Sequence, residues 1–106
     1  AVAVYYSDDA ISYGRNSQPI VGKVAITEKF AKNMATDTTD NYSVYKVVDV
    51  FAEGKTAVEI GSWTEFDVSG NEKDSGYYMS YFEKRDGSYL CTRDMSMTTS
   101  AVKSGM

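Results

Sequence analysis

The chain has 106 residues, 42% hydrophobic and 25% charged, which is enough for one domain around a single core and too balanced for a disordered segment. Its formal charge of −4 and the lack of any Lys/Arg run argue against a nucleic-acid partner, and no apolar stretch is long enough to span a membrane. With no histidine and the single cysteine Cys91, internal disulfides, Cys- or His-based metal sites and His-dependent triads are excluded, so acid–base chemistry falls to Asp, Glu, Tyr or Lys.

Residues 1–6 are apolar and read as a strand or as the last turn of a helix, which Ser7-Asp8-Asp9 interrupts before a short strand at Ala10 to Tyr13. Gly14 to Pro19 is a polar loop holding the only proline. The spacing of Ile26, Phe30 and Met34 predicts a helix over Lys23 to Met34. Thr36 to Asp40 is too polar and β-branched to continue it, and Asp37 and Asp40 lack the spacing of a calcium loop.

From Asn41 the hydrophobic period changes to two. Four runs follow, Asn41 to Phe51, Thr56 to Asp67, Gly76 to Glu83 and Tyr89 to Thr98, with short glycine-containing separators. Asp86-Gly87 is the sharpest hairpin signal among them. The expected architecture is α+β, a single domain over residues 1–106 in which a curved antiparallel meander wraps on a helix. No signal-peptide pattern is present, so a cytoplasmic location without cofactor or metal is expected.

This order of elements resembles the ketosteroid-isomerase-like or nuclear-transport-factor-like superfamily, particularly its SnoaL-like members. The resemblance is carried by Tyr6-Ser7-Asp8-Asp9-Ala10, by Pro19-Ile20-Val21-Gly22-Lys23 opening the helix, and by Lys55 to Gly61 as a central strand. Gly76-Tyr77-Tyr78-Met79 through Leu90, followed by Arg93-Asp94, resembles the closing hairpin. It implies a cystatin-like cone. It also implies that the usual first helix is missing, which would leave apolar sheet exposed unless another chain covers it.

Alternation divides the strands into two faces if no bulge shifts the register. One face carries Val58, Ile60, Ser62, Thr64 and Phe66, with Tyr78, Ser80, Phe82, Leu90, Thr92, Asp94 and Ser96. The resemblance makes this the concave face, with Tyr13, Ile60, Ser62, Thr64, Tyr78, Ser80, Thr92 and Ser96 as ligand-binding residues for a small apolar or polycyclic molecule. The other face carries Trp63, Tyr77, Met79, Tyr81, Met95 and Met97, too apolar for water, and predicts a homodimer interface. Blander readings stand beside both: the serines let the helix pack closely, and the aromatics cover core under a loop.

The isomerase branch needs a catalytic Asp and a second carboxyl, which by resemblance fall at Gly14 and Ser80, so that chemistry is not expected. The epoxide-hydrolase branch uses an Asp on the last strand, matched by Asp94, but its Arg–Asp partners have no counterpart among Gly61, Ser62, Trp63 and Thr64. Asp94 is therefore the candidate catalytic base for a lyase, isomerase or hydrolase acting on a polycyclic or terpenoid-like substrate, with a structural carboxylate as the alternative. A non-catalytic association module is the remaining reading.

Overall fold

The computed structural model of the protein describes residues 5–14, 17–36 and 40–99. Strand β1 (Tyr6–Tyr13) and the short β2 (Ile20–Val21) precede helix α1 (Lys23–Thr36). Strands β3 (Tyr42–Glu53), β4 (Thr56–Phe66), β5 (Glu72–Arg85) and β6 (Ser88–Thr98) then form three successive hairpins. All six strands join one curved, unclosed sheet in the order β2-β1-β6-β5-β4-β3. The meander extends from β3 to β6, but β1 lies parallel to β6, so the sheet is mixed and not purely antiparallel.

Ser7-Asp8-Asp9 does not interrupt the first strand. The strand runs through it, and the polar run coincides with a register irregularity between Tyr6 and Ile11 against β6. Its side chains find partners locally: the buried Ser7 hydroxyl donates to Asp9 at 2.7 Å, and Arg85 donates to the same carboxylate at 3.0 and 3.4 Å. The expectation that residues 1–6 contain a helix end falls mostly on residues 1–4, outside the described residues.

Helix α1 starts where the Gly22 N–H donates to the Ala10 carbonyl at 2.7 Å, while the Gly22 carbonyl accepts from the Ile26 N–H at 3.0 Å. That tie lays the helix on β1, and Ile26 closes a core cluster with Tyr6, Ala10 and Cys91, flanked by Ile20 and Phe82. The main core cluster lies at this end of the sheet, and Trp63 on β4 is buried apart from it. Strand β3, at the far edge, is exposed along its whole length, with Tyr45, Val47 and Val50 uncovered. No helix among the described residues is long and apolar enough to cross a membrane.

Each hairpin contains one extra residue. Val48 is unmatched between β3 and β4, Lys73 between β4 and β5, and Thr92 between β5 and β6. Partners across antiparallel strands share a face, and an extra residue exchanges the faces beyond it. The Phe66–Glu72 closure alone would set even-numbered residues of β4 beside even-numbered residues of β5. After Lys73 the pairs become Gly61–Tyr78, Glu59–Ser80 and Trp63–Gly76.

The two faces of β4 are therefore the reverse of the expectation. Glu59, Gly61 and Trp63 share the inner side with Tyr78 and Ser80, whereas Val58, Ile60, Ser62 and Thr64 share the outer side with Tyr81, Met79, Tyr77 and Ser75. On β6, Asp94 and Ser96 pair with Ser80 and Tyr78 as expected, but the Thr92 bulge turns Cys91 inward opposite Phe82, where it is fully buried.

Candidate functional site

Two inner rings lie over glycines. A Cβ on Gly61 would stand 2.4 Å from the Tyr78 ring, and one on Gly76 would stand 2.7 Å from Trp63 and 1.8 Å from the Met97 carbonyl oxygen. Only a glycine lets each ring lie across its neighbouring strand. The Tyr78 ring thereby becomes part of the floor of a cavity of about 610 Å³ between α1 and the sheet.

Helix α1 contributes Ile26, Lys29 and Phe30 to the cavity, and the start of the chain contributes Tyr5 and Tyr6. Ser12 and Tyr13 come from β1, Tyr45 from β3 and Glu59 from β4. Tyr78 and Ser80 come from β5, Asp94 and Ser96 from β6. A smaller hollow of about 220 Å³ shares Tyr45, Tyr78 and Ser96 with it and reaches Trp63 and Glu65.

Three tyrosine hydroxyls organise the polar part of this wall. Tyr6 donates a short hydrogen bond to Asp94 Oδ2, Tyr78 donates to Glu59 Oε2 at 2.6 Å, and Tyr5 donates to Ser80 Oγ at 3.3 Å. The rings brace one another edge to face, Tyr5 on Tyr6 with centroids 4.9 Å apart and Tyr45 on Tyr78 at 6.1 Å. Burial pushes the Tyr5 hydroxyl up to about 12. Burial, and after it the neighbouring carboxylate, raises Tyr6 beside Asp94 and Tyr78 beside Glu59. All three are neutral donors at physiological pH. Burial also pushes the Cys91 thiol up to about 12, so the lone cysteine is no nucleophile.

Of the expected ligand-binding residues, Tyr13, Tyr78, Ser80 and Ser96 line the cavity together with Asp94. Ile60, Ser62 and Thr64 do not, because the Lys73 bulge places them on the outer side, and Thr92 is buried within its own bulge. Of the expected interface residues, Tyr77, Met79, Tyr81, Met95 and Met97 share the outer side, although Met95 also borders the cavity. Trp63 does not join them: it is inner and only 7% exposed. Sequence reasoning missed Tyr5, Tyr6, Tyr45 and Glu59. The available signal was the glycines Gly61 and Gly76 in otherwise bulky strands, each marking a close approach by a ring.

Among the described residues, no cluster of acidic or cysteine side chains could hold a metal ion. No protein-family model and no curated protein sequence matches the chain. Solved structures do. A Nostoc punctiforme protein of unknown function with a cystatin-like fold superposes with a TM-score of 0.79 at 12% identity, over 95% of this chain and 76% of that one. The fold is a cystatin-like cone. A ketosteroid isomerase-like protein from Erwinia carotovora matches the cone with a TM-score of 0.74 at 19% identity, over 93% of this chain and 79% of that one. An NTF2-like protein of unknown function from Pseudomonas putida gives 0.78 at 13% identity, over 95% and 72% of the two chains. At Gly14 and Ser80, both lining the cavity, this cone has no carboxyl group where the isomerase resemblance asks for one.

Proposed function

We propose that this domain binds a small, largely apolar molecule in its cone and pairs with a second copy of itself through the outer sheet face. The cavity carries the first half of this reading. Its volume of about 610 Å³ and its aromatic walls, with polar groups gathered at Asp94, Glu59 and Ser80, suit a small-molecule site. A core built only for stability is close-packed, with few voids larger than water. Small molecules on apolar bodies should raise Tm in a thermal-shift panel. Ser96→Phe, which fills the space at the floor, should abolish the shifts while leaving the circular dichroism unchanged. A panel without hits at millimolar concentration would remove the reading.

The second half rests on the outer face. Met79 pairs with Met95 and Tyr77 with Met97, all four 43–54% exposed, with Ile60 and Val58 alongside. Lys46, Asp49 and Arg93 share this side, so its rim carries both signs of charge. A face with an apolar centre and a mixed rim is suited to self-pairing about a two-fold axis. In sedimentation equilibrium the wild type should be a dimer and Met79→Lys a folded monomer; a wild-type monomer at tens of micromolar would refute the pairing.

A second reading makes the cavity catalytic, with Asp94 as general base on a polycyclic or terpenoid-like substrate. The Tyr6 hydroxyl favours it by holding Asp94 in one orientation at the cavity wall. An Asp94→Asn variant that kept turnover of a converted compound would remove Asp94 from that role.

A further inference from the structure

The hydrogen-bonding capacity of the cavity is lopsided. The hydroxyl hydrogens of Tyr6, Tyr78 and Tyr5 are directed to Asp94, Glu59 and Ser80, so none of them is left to donate to a ligand. Those groups retain acceptor sites: carboxylate oxygens with further lone pairs and the phenolic oxygens themselves. Ser80 and Ser96 can donate or accept and so do not discriminate. Among the described lining residues the only cation is Lys29, exposed on α1, where water screens it.

The aromatic walls bias the site in the same direction. In an edge-to-face pair the ring presenting its edge keeps its faces available. Tyr5 against Tyr6 at 86° and Tyr45 against Tyr78 at 73° both have this arrangement. Ring faces carry the negative end of the aromatic quadrupole and attract cations, and in a partly desolvated site the attraction strengthens. An anionic ligand would meet two carboxylates and several ring faces; a neutral acceptor would find the three tyrosine donors beside those carboxylates and Ser80 already engaged.

Building on the pocket reading above, we infer that the cone takes a small amine, an ammonium group on an apolar body, with the ammonium directed to the Asp94 and Glu59 carboxylates and the apolar part lying among the tyrosine rings. The ammonium donates to the carboxylate oxygens that remain open beside Tyr6 and Tyr78, and its charge is opposite to that of both acids. Steric fit is not limiting, because the cavity is larger than a single-ring amine needs.

The test compares three probes of one size by isothermal titration calorimetry at low salt: phenethylammonium, 2-phenylethanol and 3-phenylpropanoate. The ammonium should bind at least ten-fold more tightly than the alcohol, and the propanoate should be weakest. Asp94→Asn should reduce the preference for ammonium over alcohol several-fold. Glu59→Gln provides the same measurement should the first variant misfold. If the alcohol or the propanoate binds as tightly as the ammonium, the amine inference is overturned and the pocket reading survives. If none of the three binds at millimolar concentration, both fall. Unchanged selectivity in both folded variants would overturn the assignment of the two carboxylates.

Discussion

Replacing Gly61 by alanine tests the geometry of the cavity floor directly. The backbone there lies outside the left-handed region, so alanine is conformationally acceptable and would even stabilise by about 0.4–1 kcal/mol through the unfolded chain. The added methyl would nevertheless sit 2.4 Å from the Tyr78 ring, against about 3.5–4 Å for ordinary carbon contact. The ring must retreat by more than an ångström, and the 2.6 Å bond from its hydroxyl to Glu59 cannot persist. Loss of a hydrogen bond to a charged acceptor costs about 1.5–3 kcal/mol. Loss of the edge contact with Tyr45 costs a further ~0.5–1.5 kcal/mol. The net expectation is a destabilisation of about 2–3 kcal/mol, or a fall in Tm of roughly 10–20 °C for a domain of this size. Urea unfolding followed by circular dichroism measures it. In a Tyr78→Phe background the hydrogen bond is already gone, so the same alanine should cost about 1.5–3 kcal/mol less. A Gly61→Ala protein melting within 2 °C of wild type, or an equal cost in both backgrounds, would refute the ring-over-glycine account.

The other predictions concern titration, the thiol and the tryptophan. Cys91 and Tyr5, at about 12 in the fold against 9.0 and 10.0 in the open chain, are held protonated by folding, and Tyr6 and Tyr78 are shifted the same way. Stability from such groups is complete below their unfolded values and is lost as pH rises toward the folded ones. The urea midpoint should therefore be level up to about pH 8.5 and fall above it, less steeply in Tyr6→Phe; a midpoint constant to pH 11 would contradict this. Cys91, fully buried, should react with a disulfide reagent at pH 8 only as fast as the protein unfolds, and rapid native labelling would take it out of the core. Trp63 emission should be blue-shifted and unaffected by Met79→Lys, since the ring is buried on the inner side of the sheet; a red shift in that variant would return it to the outer face.

Much of the fold was legible in the sequence because its signals are local. Period-two runs ended by glycine placed β3 to β6, and the Asp86-Gly87 turn, with both residues at positive φ (52° and 83°), is the hairpin that dipeptide predicts. The site was legible only in part. Tyr78, Ser80, Asp94 and Ser96 were placed on the cavity side because no bulge separates their partners from one another. The faces of β4 were not, because Lys73 looks like any other residue of a polar turn, and its extra place in the strand appears only once β5 is paired. The parallel pairing of β1 with β6 was also hidden. It joins residues more than eighty positions apart, and no short-range pattern records such a contact.

The three unmatched residues, Val48, Lys73 and Thr92, bear on how a cone of this kind can change over generations. Removing Lys73 would reset the β4–β5 pairing, so that Ile60, Ser62 and Thr64 turn to the inner side and Glu59, Gly61 and Trp63 face outward. A loss of one codon thus replaces Glu59, Gly61 and Trp63 on the inner side of β4 by aliphatic and small hydroxyl side chains, while Asp94 keeps its place, without a single substitution in the lining. For such a scaffold, insertions and deletions at the bulges are the large moves in sequence space, and point mutations are the small ones.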